Sequence, residues 1–202
     1  MKRQMAAALC SAVFGFAVLS SLVILQNNPA LAALLARSGN GAQDRQVYSS
    51  IKDLMESVID PSADVLWGAA GTIVDKDGSV EELSPKTPEE WLDVRRAAVR
   101  VIEGGNLLMM PGREAAPIGT KSETPGVELE PAEITALINQ NRRSFDAFAK
   151  ALQVLGLEAL RASEAQNAAL LLDIGGRMQD ICESCHQTFW YPNPGASQSG
   201  GR

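Results

Sequence analysis

The sequence predicts an all-α fold built on four long amphipathic helices. Two observations carry that prediction. Apolar residues recur at spacings of three and four along four separate stretches. Those stretches are also marked by helix start and stop signals, chiefly Pro, Gly and short capping sequences.

The first helical pattern opens at Gln43, where Val47, Ile51, Leu54, Met55 and Val58 form one apolar stripe. Pro61 ends this helix or begins a further short one, with Asp60 as its cap, and residues 62–70 add one or two turns. Residues 72–83 read differently: Asp77-Gly78, between Ile73-Val74 and Val80, marks a small hairpin or ordered loop. Asp75, Asp77 and Glu81 are chemically suited to calcium, but their spacing does not complete an EF-hand and long flanking helices are missing.

The second long helix has a clear start. Thr87 can cap, Pro88 takes the first helical position and Glu90 completes a capping box. Trp91, Ala98 and Ile102 share a face; Gly104-Gly105 weakens the helix near its end. Residues 111–130, rich in Pro, Gly and Thr, read as a long loop, and a loop of that length points to a covering role. The third helix starts at Pro131, carries Ile134, Ile138, Phe145, Phe148, Leu152 and Leu155 on its stripe, and has Gly156 as its natural stop. The fourth runs from about Leu157 through Leu171, Ile174 and Met178 to Cys182 and Cys185. Gly175-Gly176 interrupts it, either as a local irregularity or because the backbone meets a ring or a neighbouring helix there.

The most specific signal is Cys182-Glu183-Ser184-Cys185-His186, a C-x-x-C-H run. This is the attachment pattern for c-type haem: the thiols add across the vinyl groups as thioethers and the histidine ligates the iron. On a helix all three side chains share one face. His186 is the only histidine. Two other chemistries compete. A structural zinc site wants four ligands, and the only other cysteine, Cys10, lies in a leader-like segment, so carboxylates or a second chain would have to complete it. A redox dithiol normally opens a helix after a strand, whereas this run closes a long helical pattern.

Residues 1–32 read as a signal peptide or an N-terminal membrane anchor. Lys2 and Arg3 precede an uncharged run from Ala6 to Leu25, and Ala30-Leu31-Ala32 is a cleavage candidate. Either way the remainder is exported: periplasmic if cleaved, held at the inner membrane facing the periplasm if not. Residues 33–42 form a flexible lead-in, 43–192 the folded domain and 193–202 a disordered tail. Without Lys2 and Arg3 the chain has 16 basic and 24 acidic residues, and no basic run exceeds two, which argues against nucleic acid. No Ser/His/acid arrangement and no phosphate loop appears, so a carrier rather than an enzyme is expected.

Four amphipathic helices with C-x-x-C-H near the end of the last resemble the class II c-type cytochromes, cytochrome c-prime and its low-spin relatives. The position of the motif carries the resemblance, together with the aromatic ending Phe189-Trp190-Tyr191. It implies an antiparallel up-and-down four-helix bundle over residues 43–192, one covalent haem c on Cys182 and Cys185, and His186 as proximal ligand. It further implies electron exchange with redox partner proteins and homodimers formed through helix faces. In the low-spin members a methionine on the first helix is the sixth ligand, and Met55 lies near the expected place; ordinary core packing is its alternative. Five-coordinate members bind gases, which gives a second functional expectation; a zinc-binding interaction module is a third. Trp67, Trp91, Met178 and Phe189 are candidates to pack on the ring, with plain burial as the competing role. The chain departs from the family at 72–86 and 111–130, which lengthen it, and lacks a basic residue soon after the histidine. Arg142, Arg143 and Arg177 are the cations considered for the propionates.

Overall fold

A computed structural model describes residues 46–192. The signal peptide or anchor, the lead-in and the tail expected at 193–202 lie outside the described residues. Among the described residues no helix is long and apolar enough to cross a membrane.

The chain is mostly helical, with one small two-stranded sheet: α1 (Ile51–Leu54), a π turn (Met55–Ile59), α2 (Asp60–Gly68), β1 (Gly71–Val74), β2 (Val80–Leu83), α3 (Pro88–Leu108), α4 (Pro131–Gln140), α5 (Arg142–Glu164) and α6 (Ala168–Phe189). The all-α expectation therefore holds at that level, and several boundaries move.

The first helix among the described residues begins at Ile51, after non-helical residues 46–50; Gln43, where the pattern was expected to open, lies outside the described residues. Ser50 caps it: its hydroxyl accepts the Asp53 N–H (3.1 Å), and the Asp53 carboxylate accepts the Ser50 N–H (2.8 Å). The N–H groups of Ile51 and Lys52 donate to the carbonyls of Glu114 and Ala115 (both 2.9 Å), so the long loop satisfies donors that a helix start leaves open. Pro61 stands in the first turn of α2, the second of the two expected outcomes, while Asp60 is the first helical residue and Ile59 takes the N-cap position expected for Asp60. The chain turns through Pro61 because the preceding turn is widened: the Asp60 N–H donates to the Met55 carbonyl, five residues back.

The hairpin forms as expected, β1 antiparallel to β2, closed at Gly78 (φ 83°), which takes the left-handed conformation glycine permits. Among the described residues no group of three or more His, Cys, Asp or Glu side chains is placed to hold a metal ion. Thr87, Pro88 and Glu90 make the expected capping box on α3.

The third helix differs most. Asn141 (φ −118°, ψ 36°) breaks it into α4 and α5, and α5 runs straight through Gly156 to Glu164. Gly156 is a contact point, not a stop: a Cβ there would lie 2.9 Å from Ile102 Cγ1 and 3.3 Å from Ile102 N. Gly105 plays the same part on α3, where a Cβ would lie 2.4 Å from Gln153 Cγ and 3.0 Å from the Ala149 carbonyl oxygen. Residue 105 thus meets 149–153 while 102 meets 156, so the two helices run in opposite directions. The chain leaves α5 at Gln166 (φ 51°), and α6 starts at Ala168, capped by Asn167, not at Leu157.

On α6 the paired glycines separate in role. A Cβ on Gly175 would sit 3.1 Å from Trp67 Cδ1, and the Gly175 carbonyl accepts the Trp67 indole N–H (3.0 Å). Gly176 has nothing within 4 Å and is exposed. Gly176→Ala is therefore expected to stabilise the fold by about 0.5–1 kcal/mol through helix propensity alone. A rise of roughly 1–4 °C in thermal midpoint would record it; a fall would reveal a contact at that position.

Candidate functional site

The C-x-x-C-H run lies wholly within α6, so Cys182, Cys185 and His186 share a face, as expected. That face borders a cavity of about 440 Å³, within the ~300–1,000 Å³ common for small-molecule and cofactor sites. The opposite wall comes from the π turn and α2, through Met55, Ile59, Ala63 and Trp67. A third wall comes from α5, through Phe145, Phe148 and Leu152. The charged groups in the lining are all acidic: Glu56, Asp60 and Glu183.

A second lobe of about 290 Å³ shares Met55, Glu56, Phe145, Cys185 and His186 with the first. The long loop walls it, through residues including Thr120, Ser122 and Leu129, so 111–130 does cover something. The loop is held at several points. Arg113 is buried and donates to the Leu107 carbonyl (3.2 Å) and to Ser49. The Ala115 N–H donates to Thr135 Oγ1 (2.9 Å), and the Leu129 N–H donates to the Trp190 carbonyl (2.9 Å). Lys52 pairs with Glu123 across the mouth of the lobe.

Electrostatics at the motif follow from burial. Desolvation, then the charge of Asp60, raises the Cys182 thiol above its ordinary value. Desolvation and the neighbouring Cys182 push Cys185 up to about 12. Burial lowers the His186 pKa, opposed by Glu183 and Asp60. The site therefore holds two protonated thiols and a neutral imidazole. That is the reverse of a redox dithiol, whose attacking cysteine has a depressed pKa at a helix N-terminus. It suits thiols destined for thioethers and an imidazole with a free lone pair. Beyond the histidine, Tyr191 donates its hydroxyl to Glu183 (2.9 Å) and Gln187 donates to the same carboxylate (2.7 Å). The chain end of α6 curls back, with the N–H groups of Trp190 and Tyr191 donating to the His186 carbonyl (2.7 and 3.0 Å).

The remaining expected site residues divide. Trp67 lines the first lobe, held by its bond to Gly175. Phe189 lines the second and stands edge-on to Phe145 (5.6 Å, 81°) and Phe148 (6.3 Å, 88°). Trp91 and Met178 are corrections. Trp91 is buried in the first turn of α3. It lies about 25 Å along that helix from Leu108, the α3 residue in the lining. Met178 is fully buried in the interhelical core and absent from both linings. The three arginines available for the propionates take the commoner role of solvated helix faces. Arg177 is paired with Glu158 and Asp173, Arg142 with Asp146, and neither they nor Arg143 borders either lobe. The lining cations are instead Lys52 and Lys121, both in the second lobe.

Sequence reasoning passed over Phe145 and Phe148 as site residues. Their signal was an aromatic pair three apart on a stripe otherwise made of aliphatic and small residues. Comparison with protein-family models, curated proteins and solved structures finds no match to this chain.

Proposed function

We propose that this chain is a c-type cytochrome that carries one electron through a single covalent haem. The observation that carries the reading is that Cys182, Cys185 and His186 face one apolar cavity whose far wall presents Met55. Haem bound there would supply a one-electron iron couple whose potential is set by axial ligand and burial. The chain's part is to tether the ring through two thiols, offer a neutral imidazole on one side and a thioether on the other, and exclude water with Phe145, Phe148 and Leu152.

The helix contacts support reading the domain as an antiparallel up-and-down four-helix bundle. Ser62 on α2 is bonded to Arg100 on α3; α3 packs on α5 through Gly105 and Gly156; Arg177 on α6 pairs with Glu158 on α5; Trp67 on α2 bonds Gly175 on α6. Each helix of the set thus has two neighbours around a common core. Export to the periplasm, a redox partner protein and homodimer formation belong to the same proposal, with retention at the inner membrane through an uncleaved anchor as the alternative location.

A second reading, a five-coordinate gas-binding haem protein, draws on the second lobe, which leaves open volume beside Met55 and His186. Met55→Leu separates the two. In the electron carrier it is expected to convert a low-spin spectrum to a high-spin one and to speed carbon monoxide binding to the reduced protein; an unchanged spectrum would remove Met55 from the coordination sphere. A pyridine-haemochrome assay with metal analysis on protein matured in an exporting host tests the haem itself. Zinc without haem would favour the interaction-module reading.

A further inference from the structure

We propose that the π turn is a register device: it absorbs one surplus residue so that Met55, rather than Glu56, stands in line with Trp67. Its spectroscopic test rests on the haem reading above; its geometry does not.

The buried and partly buried positions of 51–67 form two adjacent rows, each recurring every four residues: Ile51, Met55, Ile59, Ala63 and Trp67, and beside them Leu54, Val58, Ser62 and Leu66. An α-helix repeats every ~3.6 residues, so each such step overshoots by about 40°. Four steps accumulate about 160°, enough to carry the first of these residues to the far side of a regular helix from the last. The wide turn, in which the Asp60 N–H reaches the Met55 carbonyl, spends one extra residue and recovers about 100° of that drift. Counted back from Trp67 along a regular α-helix, Glu56 would fall about 20° from its line and Met55 about 120° away. With the wide turn Met55 takes the inward place, and Glu56 borders both lobes from its flank with its side chain 62% exposed. The chemical result is a thioether in line with Trp67, with the neighbouring carboxylate turned largely to solvent at the edge of both lobes.

Two features hold the turn. Pro61 has no N–H, and its ring would clash with the carbonyl four residues back, that of Ser57, in an uninterrupted α-helix. Ser62, fully buried, donates to the Val58 carbonyl (2.5 Å) and accepts from Arg100 Nε on α3 (2.9 Å), pinning the widened turn from a neighbouring helix.

The test is deletion of the exposed Ser57 from the full-length holoprotein. The turn should close to ordinary α geometry with Met55 still inward. The low-spin methionine signature should match wild type, and peroxide oxidation of Met55, mapped by mass spectrometry, should stay within about twofold of it. Loss of the signature with haem still attached, or a tenfold faster oxidation, would overturn the proposal. Because Pro61 opposes the closed turn, the deletion combined with Pro61→Ala is the second variant and decides by the same readouts if the first does not accumulate. Wild-type protein without haem would refute the functional reading instead, and Met55 oxidation would then decide this inference alone.

Discussion

Replacing Cys182 and Cys185 together by alanine is expected to yield a folded chain with no covalently attached haem. Intact-protein mass would fall by one haem beyond the two lost sulfurs. The loss should be complete because among the described residues no other cysteine is present, and the thioethers have no other source. Folding should survive, because each substitution removes one half-buried sulfur from a helix and alanine favours helix. Single replacements should leave one thioether and shift the pyridine-haemochrome spectrum, an intermediate result that neither a zinc site nor a dithiol would give. If the wild-type chain carries no haem and the double variant changes nothing but a zinc content, the cytochrome reading is wrong.

Gly105→Ala is expected to be the most damaging single-methyl change in the core of α3. Helix propensity alone would favour alanine by about 1 kcal/mol. Packing opposes it. The new Cβ would lie 2.4 Å from Gln153 Cγ and 3.0 Å from the backbone oxygen of Ala149. Gln153 cannot swing clear at little cost: it is buried, and its amide donates to the Ile102 carbonyl (3.0 Å) and Asn106 Oδ1 (2.6 Å). Moving it leaves buried polar groups unpaired, so overpacking and lost hydrogen bonds act together. We expect a net loss of about 2 kcal/mol, read as a fall of roughly 4–8 °C in thermal midpoint. An unchanged midpoint would mean that α3 and α5 separate there at no cost. The contrast with Gly176→Ala, the same change with the opposite sign, is the sharper test.

The helical class and the motif were legible in the sequence because both are local. A stripe spaced by threes and fours needs no knowledge of its partner, and Thr87-Pro88-Glu89-Glu90 encodes its own capping box. What failed was decided by partners distant in sequence. Gly156 looks like a stop, yet the helix continues because α3 crosses there. Val47 looks helical from the apolar stripe, yet the loop at Glu114 and Ala115 fixes the first turn at Ile51. The site divides the same way. Cys182, Cys185 and His186 come from one short run, whereas the choice of Trp67 over Trp91, and of Lys52 and Lys121 over the arginines, depends on which helix end meets the cavity. The wide turn was visible in principle, as an inward repeat of four in place of 3.6.

The bond from Leu129 to Trp190, with the Lys52–Glu123 pair, has a consequence for maturation. Both clasp the long loop across a chamber whose walls are drawn from residues far apart in the chain. Non-local closure of this kind comes late in folding. Cys185, which borders the lobe that the loop walls, is thus more open to approach before the clasp forms than after it. On the cytochrome reading proposed above, attachment would have to precede that closure, and a cell that delayed the ligation step would accumulate a closed, colourless by-product.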